Sequence, residues 1–286
     1  MEAKIGVVGG SGLYEMEGFT DVSEITVTTP FGEPSDPYMV GLLQGRRVAF
    51  LPRHGKGHRY LPHEINYRAN IYGFKKLGVE RIISLTAVGS MRQDIKPMDL
   101  VLVNQFFDRT KGRLCTFFGE GIAAHISFDK PTCDDLSAYV FEACQEVGVT
   151  VHRGGTYICM EGPQFSTLAE SLIYRKWGVD VIGMTNLTES KLAREAEMCY
   201  STLALVTDYD CWRESEEAVS VGTILDYLRT NAENAKKIVK KLVPKIPETQ
   251  SCACKEALAH AIITDPSAIP QTKKEELSLI IGKYIT

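Results

Sequence analysis

Two aspartates stand close together at the end of an apolar run. The segment 201–206, Ser-Thr-Leu-Ala-Leu-Val, has the composition of a buried strand, and Asp208 and Asp210 follow it. Side chains at i and i+2 of a strand point to one face, about 6.5 Å apart. Such a pair can flank one planar heterocycle, accepting a hydrogen bond from an exocyclic amine and, when one carboxyl group is protonated, donating to a ring nitrogen. The alternative interpretation is two solvated carboxylates on a loop.

Residues that suit an anion follow two further apolar runs. In the glycine-rich turn 9–12, Gly-Gly-Ser-Gly, backbone N–H groups and the Ser11 hydroxyl can approach an anion, although a plain tight turn would use the same residues. A dinucleotide fingerprint would need its third glycine at position 15, where the chain has Glu15. Arg53 and His54 end the other run. The fork of the guanidinium suits a phosphate, and His54 adds a second possible donor.

Thr86 and Ala87 end the run that starts at residue 81 and again offer a hydroxyl beside a small residue. Open α/β sheets bind ligands at the carboxyl ends of their strands. We therefore expect Thr86, Ser11, Arg53 and the two aspartates to lie along one edge of a sheet.

A histidine metal site is an alternative for part of this region. His54 and His58 have the i, i+4 spacing that places two ligands on one helix face, and His63 is nearby. Gly55 and Gly57 oppose that helix, because glycine is unfavourable in a helix interior. We therefore expect no metal here.

The eight cysteines are scattered along the chain, and only Cys252 and Cys254 form a tight pair. Scattered cysteines are mostly small buried hydrophobes. The pair could instead bind a metal, act in redox exchange or form a disulfide. His260 is the one further ligand nearby, which gives a four-ligand zinc site little support, and a reducing cytosol disfavours disulfides.

Size and charge limit the functional classes. With 286 residues and 44% apolar composition, the chain can bury a large core, and we expect one domain over 1–286 with a helical tail from about residue 250. The net charge of −4 gives no basic excess to neutralise a nucleic-acid backbone, and we expect no nucleic-acid partner. The N-terminus does not resemble a signal peptide, and no apolar run has the roughly 20 residues that span a bilayer. We expect a cytoplasmic protein that does not bind membranes.

Short apolar runs alternate with amphipathic segments, a pattern typical of an α/β fold. Strands are predicted at 4–8, 47–51, 81–85, 100–103, 179–182 and 201–206, and helices at 61–76, 133–147, 169–177 and 217–242. The last helix should stop before Pro244 and Pro247, because proline cannot continue it.

Several segments together resemble the trimeric purine nucleoside phosphorylase family, in particular its 5′-methylthioadenosine phosphorylase branch. They occur in the family's order and cover nearly all of residues 4–242. They are Gly-Gly-Ser-Gly at 9–12, Thr-Pro-Phe-Gly-Glu-Pro-Ser-Asp at 29–36, Arg-His-Gly at 53–55, Asn-Tyr-Arg-Ala-Asn at 66–70, Asp-Arg-Thr at 108–110, Glu-Gly-Pro-Gln-Phe-Ser at 161–166 and Thr-Asp-Tyr-Asp-Cys-Trp at 207–212. The resemblance implies a central mixed, twisted, distorted barrel-like sheet surrounded by helices.

The resemblance also implies phosphorolysis of a purine nucleoside to the free base and a pentose 1-phosphate, with phosphate as co-substrate and no metal or other cofactor. It places phosphate at Ser11, Arg53, His54, Thr86, Thr185 and the backbone N–H of Ala87. It places the purine at Phe165, Ser166, Asp208 and Asp210, and the ribose at Met184. Asp208 would be the general acid at purine N7. Aspartate, rather than the asparagine of family members that act on 6-oxopurines, indicates adenine.

The 5′ substituent is expected at Val221, Ile224 and Leu225, which form one apolar stripe at i, i+3 and i+4. Packing in the core is the alternative role for that stripe. The resemblance implies that a neighbouring subunit donates His125 to this pocket, in a homotrimer or a dimer of trimers. The cysteine pair and the tail look like the cysteine-rich thermophilic members of the family.

Three other functions are alternatives to this one. A 6-oxopurine or methylthioinosine phosphorylase is opposed by Asp208. A nucleoside hydrolase is opposed by the anion-binding set, since water needs no phosphate site. A purine-sensing module has no need of phosphate beside the base.

Overall fold

The computed structural model describes residues 2–10, 12–213 and 221–285, and the side chains of 221–225 lie outside the description. The strands are β1 (Ile5–Gly9), β2 (Phe19–Ile25), β3 (Tyr38–Leu43), β4 (Arg46–Pro52), β5 (Arg81–Ser90), β6 (Leu100–Val103), β7 (Gln105–Arg109), β8 (Val151–Arg153), β9 (Thr156–Met160), β10 (Val181–Gly183) and β11 (Cys199–Tyr209). The α-helices are α1 (Tyr67–Lys76), α2 (Asp134–Val147), α3 (Leu168–Lys176), α4 (Asn186–Glu195), α5 (Val221–Leu242), α6 (Gln271–Glu276) and α7 (Ser278–Ile281).

The described strands form one mixed sheet that branches at β5. Strands β4, β1, β5 and β11 are parallel neighbours in that order, and β10 pairs with the end of β5 in the antiparallel sense. Strands β2 and β3 extend the sheet beyond β4, and β6 with β8 extends it beyond β11. The predicted mixed sheet surrounded by helices is confirmed.

Two apolar layers cover the sheet, because alternate side chains of each central strand point to opposite faces. In β11, Cys199 and Leu203 face the layer that contains α2 and α5, whereas Tyr200 faces the layer that contains α1 and α4. This alternation places a cysteine on one face and the polar end of a tyrosine on the other.

Local signals explain where the helices begin and end. Helix α1 begins at Tyr67 rather than at 61, because the Asn66 side chain accepts the Ala69 N–H at 3.1 Å and caps it there. Helix α5 ends at Leu242, and a short 3-10 turn containing Pro244 follows, as predicted. The predicted start of this helix at 217–220 lies outside the described residues.

In the described part of the chain, no helix is both long enough and apolar enough to cross a bilayer.

Candidate active site

The carboxyl ends of the four central parallel strands bring most of the predicted site together. Arg53 follows β4, Thr86 and Ala87 lie on β5, and Asp208 lies on β11. Ala87 is exposed although β5 is otherwise mostly buried, so the strand is open to solvent at this point. Ser11, which follows β1, lies outside the described residues.

The side chain of Arg53 turns from the end of β4 into the interior, where it is 3% exposed. Its guanidinium contacts both carboxylate oxygens of Glu189 on α4, and Nη2 donates to Oε2 at 3.2 Å. Nη2 also donates to Ser84 Oγ at 2.6 Å, and Nη1 donates to the Leu85 carbonyl at 3.0 Å. Because arginine has five N–H donors, these contacts leave one Nη1 hydrogen without a partner among the residues that the structure describes.

The ion pair determines the charge of this end of the site. Burial by itself would lower the pKa of Arg53, but the Glu189 carboxylate outweighs it and raises that pKa, so the guanidinium stays charged. The pair is neutral as a whole. A bound phosphate must therefore be held mainly by uncharged N–H and O–H groups.

A buried polar network fixes the ion pair in place. The Ser84 hydroxyl donates to Glu189 Oε2 at 2.9 Å, and so does the Tyr200 hydroxyl, also at 2.9 Å. The Asn186 amide donates to Ser84 Oγ at 2.7 Å and to Thr202 Oγ1 at 2.6 Å. Satisfied buried networks of this kind hold one geometry, since any shift leaves a buried polar group without a partner.

His54 is present as a neutral imidazole. Burial lowers its pKa to about 4, with the Arg53 and His58 charges acting in the same direction and the Tyr60 hydrogen bond acting against them. Its Nδ1 lies 2.8 Å from the Tyr60 carbonyl, which can only accept, so Nδ1 carries the hydrogen and Nε2 is an acceptor. The sequence analysis assigned His54 as a phosphate donor. In this tautomer it would instead accept the P–OH hydrogen of monohydrogen phosphate.

Thr185 stands at the N-cap of α4 and is buried. Its side chain does not cap the helix, and its hydroxyl donates to Asn186 Oδ1 in a long hydrogen bond of 3.4 Å that an anion could replace. The N–H groups of the first helical turn also suit an anion. The antiparallel pairing of Ile182 with Gly89 brings the chain that follows β10 back toward Thr86. This direction of the chain leads Thr185 toward the part of β5 that contains Thr86.

Asp208 and Asp210 lie on the same side of β5, next to Gly89. A methyl group on Gly89 would lie 3.2 Å from Asp208 Oδ1 and 3.5 Å from Asp210 Cβ. Strand β11 is irregular between Val206 and Asp208, where the pairing with β5 shifts register. The absence of a side chain at 89 leaves room for both carboxylates.

The Asp208 carboxyl group has a raised pKa. Burial is the main cause, and the nearby Asp210 charge adds to it, whereas the Thr207 hydroxyl, which donates to Asp208 Oδ2 at 2.7 Å, acts in the opposite direction. A carboxyl group with a raised pKa retains a proton more readily near neutral pH. This is the property that a general acid needs.

The loop 161–166 lies against the aspartate end of the site. The Cys211 thiol, one residue beyond Asp210, contacts the Ser166 carbonyl at 3.4 Å. Phe165 on this loop is 83% exposed in the described part of the chain, so its ring can cover a ligand. The structure thus brings Ser166 close to the aspartates and leaves the orientation of Phe165 open to a ligand.

Arg113 holds this loop and the Met184 segment together. Its guanidinium donates to the Met184 carbonyl at 2.5 Å and to the Glu161 carbonyl at 2.7 Å, and its side chain is 3% exposed. The Met184 carbonyl is therefore occupied. Met184 would reach a ribose through its other backbone or side-chain atoms.

The structure does not show how two parts of the predicted pocket meet the rest of the site. The side chains of Val221, Ile224 and Leu225 lie outside the described residues. His125 is exposed on a loop, where its backbone N–H donates to the Ala261 carbonyl at 2.8 Å.

The sequence analysis missed Glu189, Asn186, Arg113 and Gly89. For Glu189 a signal existed, because it lies one helical turn after Thr185 among residues that must face the sheet. The position of Gly89 between the two aspartates can be recognised only once β5 is known to continue past residue 85. For Arg113 the sequence offers no signal, since its partners come from distant loops.

Known proteins resemble this chain in sequence and in fold. A sequence model of the phosphorylase superfamily matches residues 4–244. An S-methyl-5′-thioadenosine phosphorylase of Geobacter sulfurreducens is 60% identical over 286 residues, covering all of both chains. A crystal structure of a methylthioadenosine phosphorylase from an Antarctic soil metagenomic library superposes with a TM-score of 0.95 at 45% identity, covering 98% of this chain and 99% of the other. The Schistosoma mansoni methylthioadenosine phosphorylase in complex with tubercidin superposes with a TM-score of 0.83 at 34% identity, covering 90% and 96%.

Proposed function

The chain belongs to the phosphorylase superfamily, and from that premise we propose that it cleaves S-methyl-5′-thioadenosine with inorganic phosphate. The products are adenine and 5-methylthioribose 1-phosphate. The observation that carries the proposal is that an anion-binding end and an acidic end share strand β5. Arg53 contacts the carbonyl of Leu85, and the aspartates flank Gly89, four residues or about 13 Å further along the strand.

The phosphate end would hold the nucleophile under C1′ of the sugar. The free N–H of Arg53, the Thr86 and Thr185 hydroxyls and the Ala87 N–H supply donors, and neutral His54 accepts a hydrogen from phosphate. Since the ion pair with Glu189 is neutral, phosphate keeps most of its negative charge. That charge favours attack on a sugar carbon that becomes positive in the transition state.

The aspartate end would stabilise the leaving purine. Protonated Asp208 donates to N7 as electron density moves into the ring, and Asp210 accepts from the 6-amino group. An asparagine at 208 would instead donate to a 6-oxo group. We therefore propose adenine nucleosides as substrates and place a 6-oxopurine phosphorylase second.

The methylthio pocket is proposed at Val221, Ile224 and Leu225, with His125 from a neighbouring subunit. Burial of an apolar methylthio group contributes about 0.8 kcal/mol per methylene-sized unit, so adenosine is expected to be a slower substrate rather than an excluded one. The proposed reaction requires no cofactor besides phosphate as co-substrate, and its proposed location is the cytoplasm.

We propose a homotrimer or a dimer of trimers. An exposed apolar face on α3 and β7 supports association: Leu168, Leu172, Ile173, Trp177 and Phe107 are each more than 40% exposed, and the Phe107 and Trp177 rings lie 5.2 Å apart. Contiguous apolar surface of this kind is typical of subunit interfaces.

The test is adenine release from methylthioadenosine by the purified chain with and without phosphate. We expect release only with phosphate, together with a phosphorylated sugar. Release at the same rate without phosphate would mean hydrolysis, and binding without turnover would mean a sensor; either result contradicts the proposal.

Asp208→Asn separates the two substrate classes. Loss of the general acid should lower adenine release about 100-fold or more, while hypoxanthine release from methylthioinosine should persist or rise. Asp94→Asn, at an exposed carboxylate bound to Arg92, is the matched control and should leave the rate of adenine release unchanged. Unchanged adenine release in Asp208→Asn would remove this residue from the mechanism.

A further inference from the structure

Four cysteines that are far apart in the sequence converge on one point. Cys133 is the N-cap of α2, Cys199 is the first residue of β11, and Cys252 and Cys254 lie in the segment after α5. Their sulfur atoms all lie within 4.8 Å of one another. Within the part of the chain that the structure describes, this is the only group of three or more potential ligand side chains close enough to share an ion.

The sulfur separations fit a shared ion better than a covalent bond. Cys133 and Cys252 are 3.7 Å apart, and Cys199 and Cys252 are 3.2 Å apart. Zinc–sulfur bonds of about 2.3 Å in a tetrahedron place neighbouring sulfurs about 3.8 Å apart. A disulfide needs about 2.05 Å, and all eight cysteines are free.

The groups around the cluster suit thiolates. The Leu136 N–H points at Cys133 Sγ at 3.5 Å, and the Gln250 amide donates to Cys199 Sγ at 3.2 Å. The Arg194 guanidinium lies 3.6 Å from Cys254 Sγ. Metal-bound thiolates commonly have such donors around them, because each N–H stabilises the charge on sulfur.

A buried cation, in addition to the partly exposed Arg194, lies on the same face of the sheet as Cys199. Arg81 pairs with Cys199 across β5 and β11, so both side chains point to the same face of the sheet. Arg81 is 3% exposed, and its Nη1 pairs with Glu80 Oε2 at 3.2 Å, whereas its Nη2 has no hydrogen-bond partner among the residues that the structure describes. A buried guanidinium nitrogen without a partner is costly. A nearby anionic group would compensate for it.

We propose that Cys133, Cys199, Cys252 and Cys254 bind one Zn²⁺ ion as a closed structural site. Binding converts four thiols to thiolates and releases their four protons to solvent. The resulting centre carries two negative charges. The Arg194 guanidinium lies against it, and Arg81, which also pairs with Glu80, lies on the same face of the sheet. With four protein ligands no coordination position remains for substrate, so the ion has a structural and not a catalytic role. This proposal differs from the sequence-based expectation of no metal, in which His260 was the one further ligand near Cys252 and Cys254. His260 is exposed. The two additional sulfurs come instead from the N-cap of α2 and the start of β11.

The site would fasten the C-terminal segment to the sheet. Beyond Cys254 this segment pairs with the loop of His125: the His125 N–H donates to Ala261, and the Ala123 N–H donates to Thr264 Oγ1 at 2.7 Å. Because Cys252 and Cys254 tie the start of this segment to β11, metal loss should loosen both the tail and the loop.

The test is metal analysis of the full chain purified without chelators or reductants. We expect about one zinc ion per chain, and X-ray absorption with four sulfur neighbours at about 2.3 Å. Cys252→Ser and Cys254→Ser should each lose most of the zinc. Cys252 is only partly buried, so its variant should still fold, which circular dichroism verifies. Cys144→Ala and Cys211→Ser, at cysteines outside the cluster, should keep the zinc.

Three results would overturn the proposal. One is full zinc content in Cys252→Ser. Another is iron in place of zinc in the purified protein. The third is peptide mapping after alkylation without reduction that shows disulfides among the four cysteines. Reversible uptake of Co²⁺ with thiolate-to-metal charge-transfer absorption in the wild type, absent in Cys252→Ser, would support it.

Discussion

The Arg53 guanidinium and the Glu189 carboxylate form a buried ion pair that joins the end of β4 to helix α4. Both side chains are at most 3% exposed, and Ser84 contacts each of them. The cation that would touch phosphate is therefore already neutralised before any ligand binds. Such a pair offers a ligand an N–H group instead of an unpaired charge, so an anionic product would not be held strongly.

Replacing Glu189 with glutamine should leave the buried positive charge of Arg53 without its anionic partner. Loss of one partner of a buried ion pair costs about 3 to 5 kcal/mol of stability. Phosphate can replace part of the missing negative charge, so added phosphate should raise the melting temperature of Glu189→Gln more than that of the wild type. Thermal unfolding with and without phosphate measures both effects.

Glu195→Gln is the matched control, since Glu195 lies on the same helix and is also buried but accepts from Thr116 and the Phe117 N–H rather than from a guanidinium. Its response to phosphate should equal that of the wild type. Equal phosphate responses in both variants would show that Arg53 does not face the phosphate.

The raised pKa of Asp208 predicts a conflict between stability and catalysis. The folded state holds the proton at a pH where the unfolded chain, with a pKa of 3.8, has lost it. The contribution of this group to stability therefore falls as pH rises from 3.8 through the folded-state pKa. Asp208→Asn removes this cost, and its amide oxygen can still accept from Thr207. The variant should unfold at higher urea concentration than the wild type at pH 7, with a difference that shrinks as pH falls toward 3.8. A less stable variant at pH 7 would contradict the assignment of burial as the main cause.

Sequence reasoning located the ends of the central strands because local signals mark them. Arg53 and the aspartates each follow an apolar run that forms a central strand, and these strands are parallel neighbours through β1 and β5. The elements that sequence reasoning did not predict are β2, β3, β7, β8, β9 and α4. Strands β2 and β7 are largely exposed, and β8 and β9 are short. None of the six segments has a distinctive hydrophobic periodicity.

Long-range partners were beyond the reach of local patterns. Glu189 follows Arg53 by 136 residues, and Cys252 follows Cys133 by 119. Burial of a charge or a thiol is decided by which strands are neighbours, and that is a property of the topology. A single sequence shows the residue types but not which of them meet.

Gly89→Ala should impair catalysis more than folding. The added methyl group would lie 3.1 Å from Ile182 Cγ2 and 3.2 Å from Asp208 Oδ1, and the backbone at 89 has no positive φ that alanine would strain. We expect at least a tenfold lower kcat/KM for adenine release, with a loss of stability of about 1 to 3 kcal/mol from overpacking. Combining it with Ile182→Leu removes the Cγ2 contact but not the Asp208 contact. Activity that returns in this double variant would show that the effect acts through packing of β10 and not through the carboxylate.

The proposal that a neighbouring subunit supplies His125 predicts complementation between inactive chains. His125→Ala lacks the donated side chain, and Asp208→Asn lacks the general acid, so each homo-oligomer should be impaired. In a mixed oligomer, the intact Asp208 of one chain can meet the intact His125 of the other. Unfolding the two variants together and refolding them should therefore give more activity than the sum of the separately refolded samples.

Asp208→Asn mixed with Asp210→Asn is the control, because both residues belong to strand β11 and its immediate end in the same chain. No arrangement of these subunits restores a complete pair of carboxylates, so mixing should add nothing. If the His125 mixture also adds nothing although gel filtration and tagged pull-down show mixed oligomers, His125 acts within its own chain or not at all. A gain in the His125 mixture alone would mean that one site needs residues from two chains, and that dissociated subunits are inactive for a structural reason.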